Sequence, residues 1–285
     1  MKVIGILGAG GQLGNELQIA FNADAENYKL VCPTLEELDI TDIQSLAHFF
    51  ANNKMDVLIN CAAYTAVDLA EKEKELNNSI NNIAVKNIAD LCKKNQVFFI
   101  HISTDFVFDG TKCLPYKETD ATSPLQEYGK AKLEGEQWVK EGIVVRTSWL
   151  YSGFGNNFVK TMMKLGKTKE SINVVDNQIG TPTYAADLAQ FLFTFINEDL
   201  YKNNAGIYHY SNEGVASWYD FAQSIMEISE SDCKVFPIPD TEYKTPAKRP
   251  NYSVMDKTKV KETFNIEIPY WRTSLQDCIK LLNEE

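Results

Sequence analysis

The sequence predicts an α/β fold, a doubly wound parallel sheet followed by a smaller C-terminal α/β region. Three observations carry that expectation. Short apolar, β-branched runs alternate with amphipathic helical segments through the first half of the chain. A glycine-rich loop stands directly after the first apolar run, and after about Tyr151 the alternation loosens into shorter helices interrupted by Gly-, Asn- and Pro-rich stretches.

Taken in order, Val3–Leu7 is a continuous apolar run, as suits a strand buried on both faces. Leu13, Leu17 and Phe21 are spaced by four and share one helix face. Lys29–Cys32 is a second short strand, stopped by Pro33. Thr41 precedes Ile43, Leu46, Phe49 and Phe50, an amphipathic helix with Thr41 as its expected N-cap. Val57–Ile59 and Val97–Ile102 are further strands, separated by a long helix marked by Ile80, Ala84, Ile88 and Leu91. Ser123 and Pro124 are expected to open the next helix, with Gln126 completing a weak capping box, and Ile143–Val145 returns to strand. Beyond Tyr151, helices are expected over Ala185–Ile196, Ser217–Ile228 and Ser274–Leu282, around a Gly/Asn-rich stretch (152–157) and a Pro-rich one (236–250).

A chain of 285 residues suggests about two domains of ordinary size. The expected division is 1–150 as a nucleotide-binding domain, completed by part of 174–205, and 151–285 as the region that receives a substrate. The apolar fraction of 44% suffices for a sizeable core. Lys and Arg total 28 against 39 Asp and Glu, a net charge of -11, which argues against a nucleic-acid binder needing a basic face. The N-terminus lacks the pattern of a signal peptide, and no apolar stretch approaches the ~18–20 residues of a membrane span. Six scattered cysteines with no close pair read as reduced thiols, so the expected location is the cytoplasm.

Gly8-Ala9-Gly10-Gly11-Gln12-Leu13-Gly14 follows the first strand and opens the first helix, with Gly8, Gly11 and Gly14 three apart. A pyrophosphate reaches a helix N-terminus only where the turn is tight and its backbone bare, so the loop points to a dinucleotide and a Rossmann-like fold. It lacks the Gly-Lys-Ser/Thr ending of a nucleotide-hydrolysing loop. Tyr128 and Lys132 stand four apart, on one helix face. A cation beside a phenol is expected to lower its pKa, making a proton donor and acceptor for a carbonyl–alcohol interconversion. Upstream, a buried strand ends in Ser103-Thr104-Asp105, where a hydroxyl of Ser103 or Thr104 can hold a carbonyl oxygen. His48, His101 and His209 are far apart in sequence, and His101, within an apolar run, reads as a core histidine. There is no zinc-protease motif, no Cys/His cluster and no nucleophile elbow.

With these motifs in hand, the sequence resembles the extended short-chain dehydrogenase/reductases and, within them, the dTDP-4-dehydrorhamnose reductase family. The resemblance runs the whole length. Besides the glycine loop it rests on Cys61-Ala62-Ala63-Tyr64-Thr65-Ala66-Val67-Asp68, Ser103-Thr104-Asp105-Phe106-Val107-Phe108, Thr119–Pro124, Tyr128–Lys132, Arg146–Tyr151, Gly155–Phe158, Gly180–Thr183 and Arg249-Pro250. It implies that Thr104, Tyr128 and Lys132 are catalytic. It implies cofactor contacts at Gly8, Gly11, Gln12, Leu13 and Gly14, at Asp39 and Ile40, at Ala62, Ala63, Tyr64 and Thr65, and at Ser103, Tyr128 and Lys132. It implies contacts to a dTDP-sugar at Thr104, Asp105, Trp149, Asn157 and Arg249. The implied reaction is reduction of the C4 keto group of dTDP-4-dehydro-L-rhamnose by NADPH or NADH, a step towards cell-surface polysaccharide precursors. Some members bind Mg2+ at a dimer contact, and Glu16 matches one of those acidic positions. A homodimer is compatible with the resemblance, the sequence leaving the oligomeric state open, and charge and hydropathy argue against a nucleic-acid or membrane partner.

Other functions stay open at this point. A nucleotide-sugar epimerase or dehydratase of the same superfamily would retain oxidised cofactor, and the regulatory subunit of methionine adenosyltransferase resembles this family while serving a partner enzyme. The choice of cofactor is open too. After the second strand the chain reads Val31-Cys32-Pro33-Thr34-Leu35, with neither an acid for a ribose hydroxyl nor an arginine for a 2′-phosphate. Glu36 and Glu37 follow closely and suit either a solvated turn or one facing the ribose.

Overall fold

The computed structural model describes residues 1–284. Its centre is a six-stranded parallel sheet made of β1 (Lys2–Leu7), β2 (Tyr28–Val31), β3 (Val57–Asn60), β4 (Phe98–Thr104), β5 (Ile143–Thr147) and β6 (Gly206–His209). The strand order is β6-β5-β4-β3-β1-β2. The winding reverses between β1 and β3, which opens a crevice at the carboxyl edge of the sheet. This is the Rossmann-like fold that the alternating runs predict.

Helices cover both faces. On one side, α1 (Gln12–Asn22) buries Leu13, Leu17 and Phe21 against β1 and against a later helix, Ala185–Asn197. On the other, α2 (Ile43–Asn52) and α3 (Ala84–Asn95) contribute Leu46, Phe49, Phe50, Ile88 and Cys92. Strands covered in this way must be apolar throughout, and Val57, Leu58 and Ile59 are all fully buried. After β3 the chain runs through short helical turns, including a π-helical turn over Ser79–Ile83, before α3 begins. The helix carrying Tyr128, α4, spans Glu127–Glu136.

Beyond β5 the chain leaves the sheet for α5 (Phe158–Gly166) and the strand Ser171–Val175. It returns through α6 (Ala185–Asn197) to lay down β6, which pairs in parallel with β5. The returning stretch supplies the helix, while the strand itself lies just past it at 206–209. Then α7 (Trp218–Ile228), the strand Lys234–Ile238 paired with Ser171–Val175, α8 (Thr258–Phe264) and α9 (Trp271–Glu284) follow. Val159, Tyr151, Phe221, Trp271 and Leu275 form a second apolar core among these later elements.

Two expected caps fall elsewhere. Asp42, not Thr41, caps α2, its carboxylate accepting from Gln44 N at 2.9 Å. The Thr41 hydroxyl is drawn away to donate to Asp39 at 2.7 Å. Ser123 and Pro124 do not open α4, because Ser123 N bonds the Val107 carbonyl at 2.9 Å and holds that segment extended. The helix starts at Glu127, with Gln126 as an N-cap residue whose side chain makes no capping bond.

Candidate active site

The crevice at the sheet's carboxyl edge is a cleft of about 1090 Å³. One wall is the loop between β1 and α1. Gly8 has φ +74°, and a side chain there would strike the backbone of Cys61 and Ala62, 2.6–2.9 Å away. A Cβ at Gly14 would run into the Gly8 carbonyl and Ala9, so this glycine lets α1 pack close to the strand. Gly10 is exposed with open space where its side chain would be, and Gly11 caps α1 with no side-chain bond. The first amides of α1 therefore stay available to a ligand. This bare, positively polarised helix end is a cradle that fits a pyrophosphate.

Around the cradle, Asp39 and Ile40 lie beyond β2, and Ala62, Ala63 and Thr65 beyond β3. The Asp39 carboxylate is held below its ordinary range by the Thr41 hydroxyl and amide, so it caps its own turn while lining the cleft. Tyr64 turns outward, donating its hydroxyl to Glu73 at 2.7 Å, and its backbone is tied to Asn81. Glu37 folds back on Thr34, accepting from its amide at 2.8 Å, and Glu36 is exposed. Neither acid lines the cleft.

Facing the cradle, β4 ends in Thr104 and α4 presents Tyr128 and Lys132, all three on the cleft. Burial pushes the Tyr128 phenol up to about 12, with the Asp105 carboxylate adding to the rise and the Thr104 hydroxyl opposing it. The expectation that Lys132 lowers this pKa is not met. The Lys132 amine is turned into the sheet, donating to the Ile102 carbonyl at 2.6 Å and lying 3.2 Å from His101 Nε2. Burial brings Lys132 itself down to about 8, against the opposing pull of Glu136 and Cys61. Tyr128 is thus a phenol ready to donate.

The two hydroxyls of β4 divide their work. Ser103 donates to buried Glu136 at 2.5 Å, and Glu136 pairs with Arg146 at 2.7 Å. Thr104 keeps its hydroxyl beside Tyr128, accepting from Phe106 N at 3.2 Å and donating to Asp105 at 3.2 Å. Asp105 is buried, its carboxyl raised to about 6 chiefly by that burial, and its Oδ2 has no hydrogen-bond partner among the described residues. An unpartnered buried carboxyl oxygen lining a cleft suits a hydroxyl-bearing ligand.

Trp149 closes the far wall. Its backbone is left-handed, φ +47°, a strained position for a bulky residue, and its ring lies on Trp218 and against Gly180. Trp218 lines the cleft as well, and sequence reasoning missed it, because one Trp opening an amphipathic helix gives no signal apart from the partner it finds in space.

Three further residues lie away from the cleft. Asn157 caps α5 through Lys160 N and donates to Gln12 Oε1 at 3.0 Å and to the Ser152 carbonyl, so its amide fastens the 152–157 loop to the cradle. Arg249 is bound in a two-point pair to Asp68, 2.9 and 3.2 Å, and to the Ala247 carbonyl. Glu16 sits buried on α1, its carboxyl raised to about 7 by burial and then by Asp187. Among the described residues, no three His, Cys, Asp or Glu side chains gather at metal-ligating distance, and no helix is long and apolar enough to cross a membrane.

A helix-end cradle meeting a hydroxyl, a phenol and an amine across one sheet edge places this chain among the extended short-chain dehydrogenase/reductases, oxidoreductases that work with a nicotinamide. Comparison with known proteins narrows the class. The chain belongs to the family described as RmlD substrate binding domain, whose model matches residues 1–284. A dTDP-4-dehydrorhamnose reductase of Aggregatibacter actinomycetemcomitans is 39% identical over 284 residues, covering 95% of this chain and 96% of that one. Among solved structures, the dTDP-4-dehydrorhamnose reductase of Clostridium acetobutylicum superposes with a TM-score of 0.93 at 42% identity, covering 99% of both chains. That of Bacillus anthracis, in complex with NADP, also gives 0.93, at 39% identity over 99% of this chain and 100% of its own.

Proposed function

We propose that this chain reduces the C4 keto group of dTDP-4-dehydro-L-rhamnose to give dTDP-L-rhamnose, using NADPH and accepting NADH. The observation that carries the reading is the meeting of Thr104, Tyr128 and Lys132 with the glycine cradle in one cleft, in a chain whose relatives along its full length include dTDP-4-dehydrorhamnose reductases.

In this reading Gly8, Gly11, Gln12, Leu13 and Gly14 hold the cofactor's pyrophosphate, and Asp39, Ile40 and the Ala62–Thr65 segment hold its nucleoside halves. The bound nicotinamide supplies the hydride. Thr104 donates a hydrogen bond to the keto oxygen, and Tyr128 gives that oxygen its proton as the negative charge develops. The tyrosinate regains its proton from solvent in the cleft, and Lys132 lines that cleft one helical turn away. Asp105, mostly carboxylate at neutral pH, accepts from a sugar hydroxyl, and Trp149 covers the apolar face of the ring. Asn157 and Arg249 act at one remove, fixing the loops that frame the sugar. Residues 1–150, completed by the returning segment, form the cofactor half, and 151–285 the sugar half. The reading also places the protein in the cytoplasm as a homodimer.

The test is oxidation of NADPH by the purified protein with dTDP-4-dehydro-L-rhamnose, with the product identified by mass spectrometry and NMR. Sugar-dependent oxidation yielding the C4 alcohol supports the reading. Absence of sugar-dependent turnover, or release of a keto product, overturns it.

A further inference from the structure

Trp149 stands just past the end of β5, and the chain around it is tied down on both sides. The Ser148 hydroxyl donates to the Thr181 carbonyl at 2.7 Å, and the Trp149 carbonyl accepts from Thr183 N at 3.2 Å. Leu150–Tyr151 then pairs in parallel with Thr183–Tyr184. Between these ties the Trp149 backbone takes φ +47°, a conformation that a bulky residue keeps only where its surroundings over-determine it. The surroundings of the ring do so. A Cβ on Gly180 would come within 2.7–2.9 Å of Cζ2, Cε2 and Nε1, three contiguous atoms of the indole, so the glycine backbone lies over one face. Trp218 lies on the other, with the ring centroids 3.6 Å apart.

The two walls of this slot are built as one piece. Ile179–Gly180 and Ala216–Ser217 form a short antiparallel ribbon in which Gly180 pairs with Ala216. Trp218 follows as the first residue of α7, whose start is fixed by a capping box. In it the Ser217 hydroxyl accepts from Asp220 N at 3.0 Å, and the Asp220 carboxylate accepts from Ser217 N at 2.9 Å. Phe158 and Phe221 pack beside Trp218, with ring centroids at 4.7 and 6.3 Å, and join it to the second apolar core. The ribbon thus sets the spacing between glycine and indole, and the core keeps Trp218 from yielding.

We propose that Trp218 is a positioning residue for the sugar, closing with Gly180 a slot that holds the Trp149 ring in its strained place on the cleft wall. This rests on the function proposed above and adds a residue beyond those the resemblance implies. Both indoles line the cleft. A wall ring that is already fixed adds no ordering cost when the sugar arrives, so the slot acts on sugar binding. Its residues belong neither to the glycine cradle nor to the Thr104 and Tyr128 pair, so cofactor affinity and the chemical step are left alone.

The chain has 4 tryptophans, so the indole N–H region of a 15N-labelled sample is simple, and the Trp149 signal is assigned by its loss in Trp149→Phe. That signal is expected to move downfield in Trp218→Leu, which removes the ring current of its neighbour. In steady-state kinetics Trp218→Leu should raise the sugar KM about tenfold or more, with kcat within about threefold and the NADPH KM unmoved. Trp218→Phe keeps an aromatic face against Trp149 and should recover most of the loss. Because Trp218 acts through Trp149, combining Trp218→Leu with Trp149→Ala should be no worse than Trp149→Ala alone. Losses that multiply in the double variant would give Trp218 a sugar contact of its own and overturn the proposal. A normal sugar KM in Trp218→Leu also overturns it. Should Trp218→Leu fail to fold, Gly180→Ala closes the slot from its other wall, and an unmoved sugar KM there is equally fatal. Calorimetry with dTDP-L-rhamnose repeats the affinity comparison without turnover. Weakened binding in Trp218→Leu, in a protein with no reductase activity, removes the proposed reaction and leaves the slot. Normal turnover by the unaltered protein with an indifferent Trp218→Leu does the reverse.

Discussion

Trp149 lies flat on Trp218, the ring centroids 3.6 Å apart and the planes within 10° of each other. The stack holds a left-handed tryptophan against Gly180, where a Cβ would come within 2.7 Å of the indole. Gly180→Ala must therefore push the Trp149 ring off its partner. The expected result is a rise of about tenfold in KM for the sugar, near 1.4 kcal/mol. The cofactor KM should stay unchanged.

Trp149→Ala removes the same wall outright. Because Trp149 is only half-buried, its loss should cost less than the ~3–5 kcal/mol of a fully buried aromatic. Sugar kcat/KM falls by about tenfold or more while the melting temperature moves little. Thermal melts beside steady-state kinetics check this, and a large loss of stability with normal kinetics would assign the ring to the core instead.

Glu16 makes stability depend on pH. Its folded pKa is raised from 4.5 to about 7 by burial. The folded state therefore binds a proton more tightly than the unfolded chain, and this contribution is fully present below about 4.5 and lost as pH rises through about 7. Glu16→Gln removes the penalty. Denaturant unfolding should find the variant more stable at pH 8, by up to about 3 kcal/mol at 1.36 per unit, and little changed at pH 4. Equal effects at both pH values would contradict the assignment.

Cofactor choice follows from what the β2 turn lacks. Glu37 is tied to Thr34, Glu36 is exposed, and among the described residues no arginine lines that end of the cleft. With neither attraction nor repulsion built for a 2′-phosphate, NADPH and NADH should support reduction with kcat/KM within about tenfold. Kinetics at saturating sugar decide the point, and a preference above a hundredfold either way would mean that another residue reads the 2′ position.

The sheet was legible because burial on both faces leaves a direct mark on sequence, as in Val57–Ile59, and because the cradle needs glycine where a side chain would strike Cys61 and Ala62. Tyr128 and Lys132 were legible through helical spacing and the hydroxyl-rich end of β4. What stayed hidden is set by partners distant in sequence. Trp218 matters through Trp149, and His101 looks like any core histidine until Lys132 and Asn60 converge on it. The direction of Lys132 was misread for the same reason, since spacing puts it on the face of Tyr128 but cannot show the Ile102 carbonyl that draws the amine inward. Asp42 displaced Thr41 as a cap through a competing bond from Thr41 to Asp39.

The most direct test of the account is the turnover of dTDP-4-dehydro-L-rhamnose and NADPH by the protein and by Tyr128→Phe, at saturating concentrations of both. The substitution removes one oxygen from a half-buried ring. The folded variant should bind NADPH as before, while kcat falls by about 10²-fold or more, the scale of a lost general acid. Near-normal turnover in the folded variant would contradict the account at its centre.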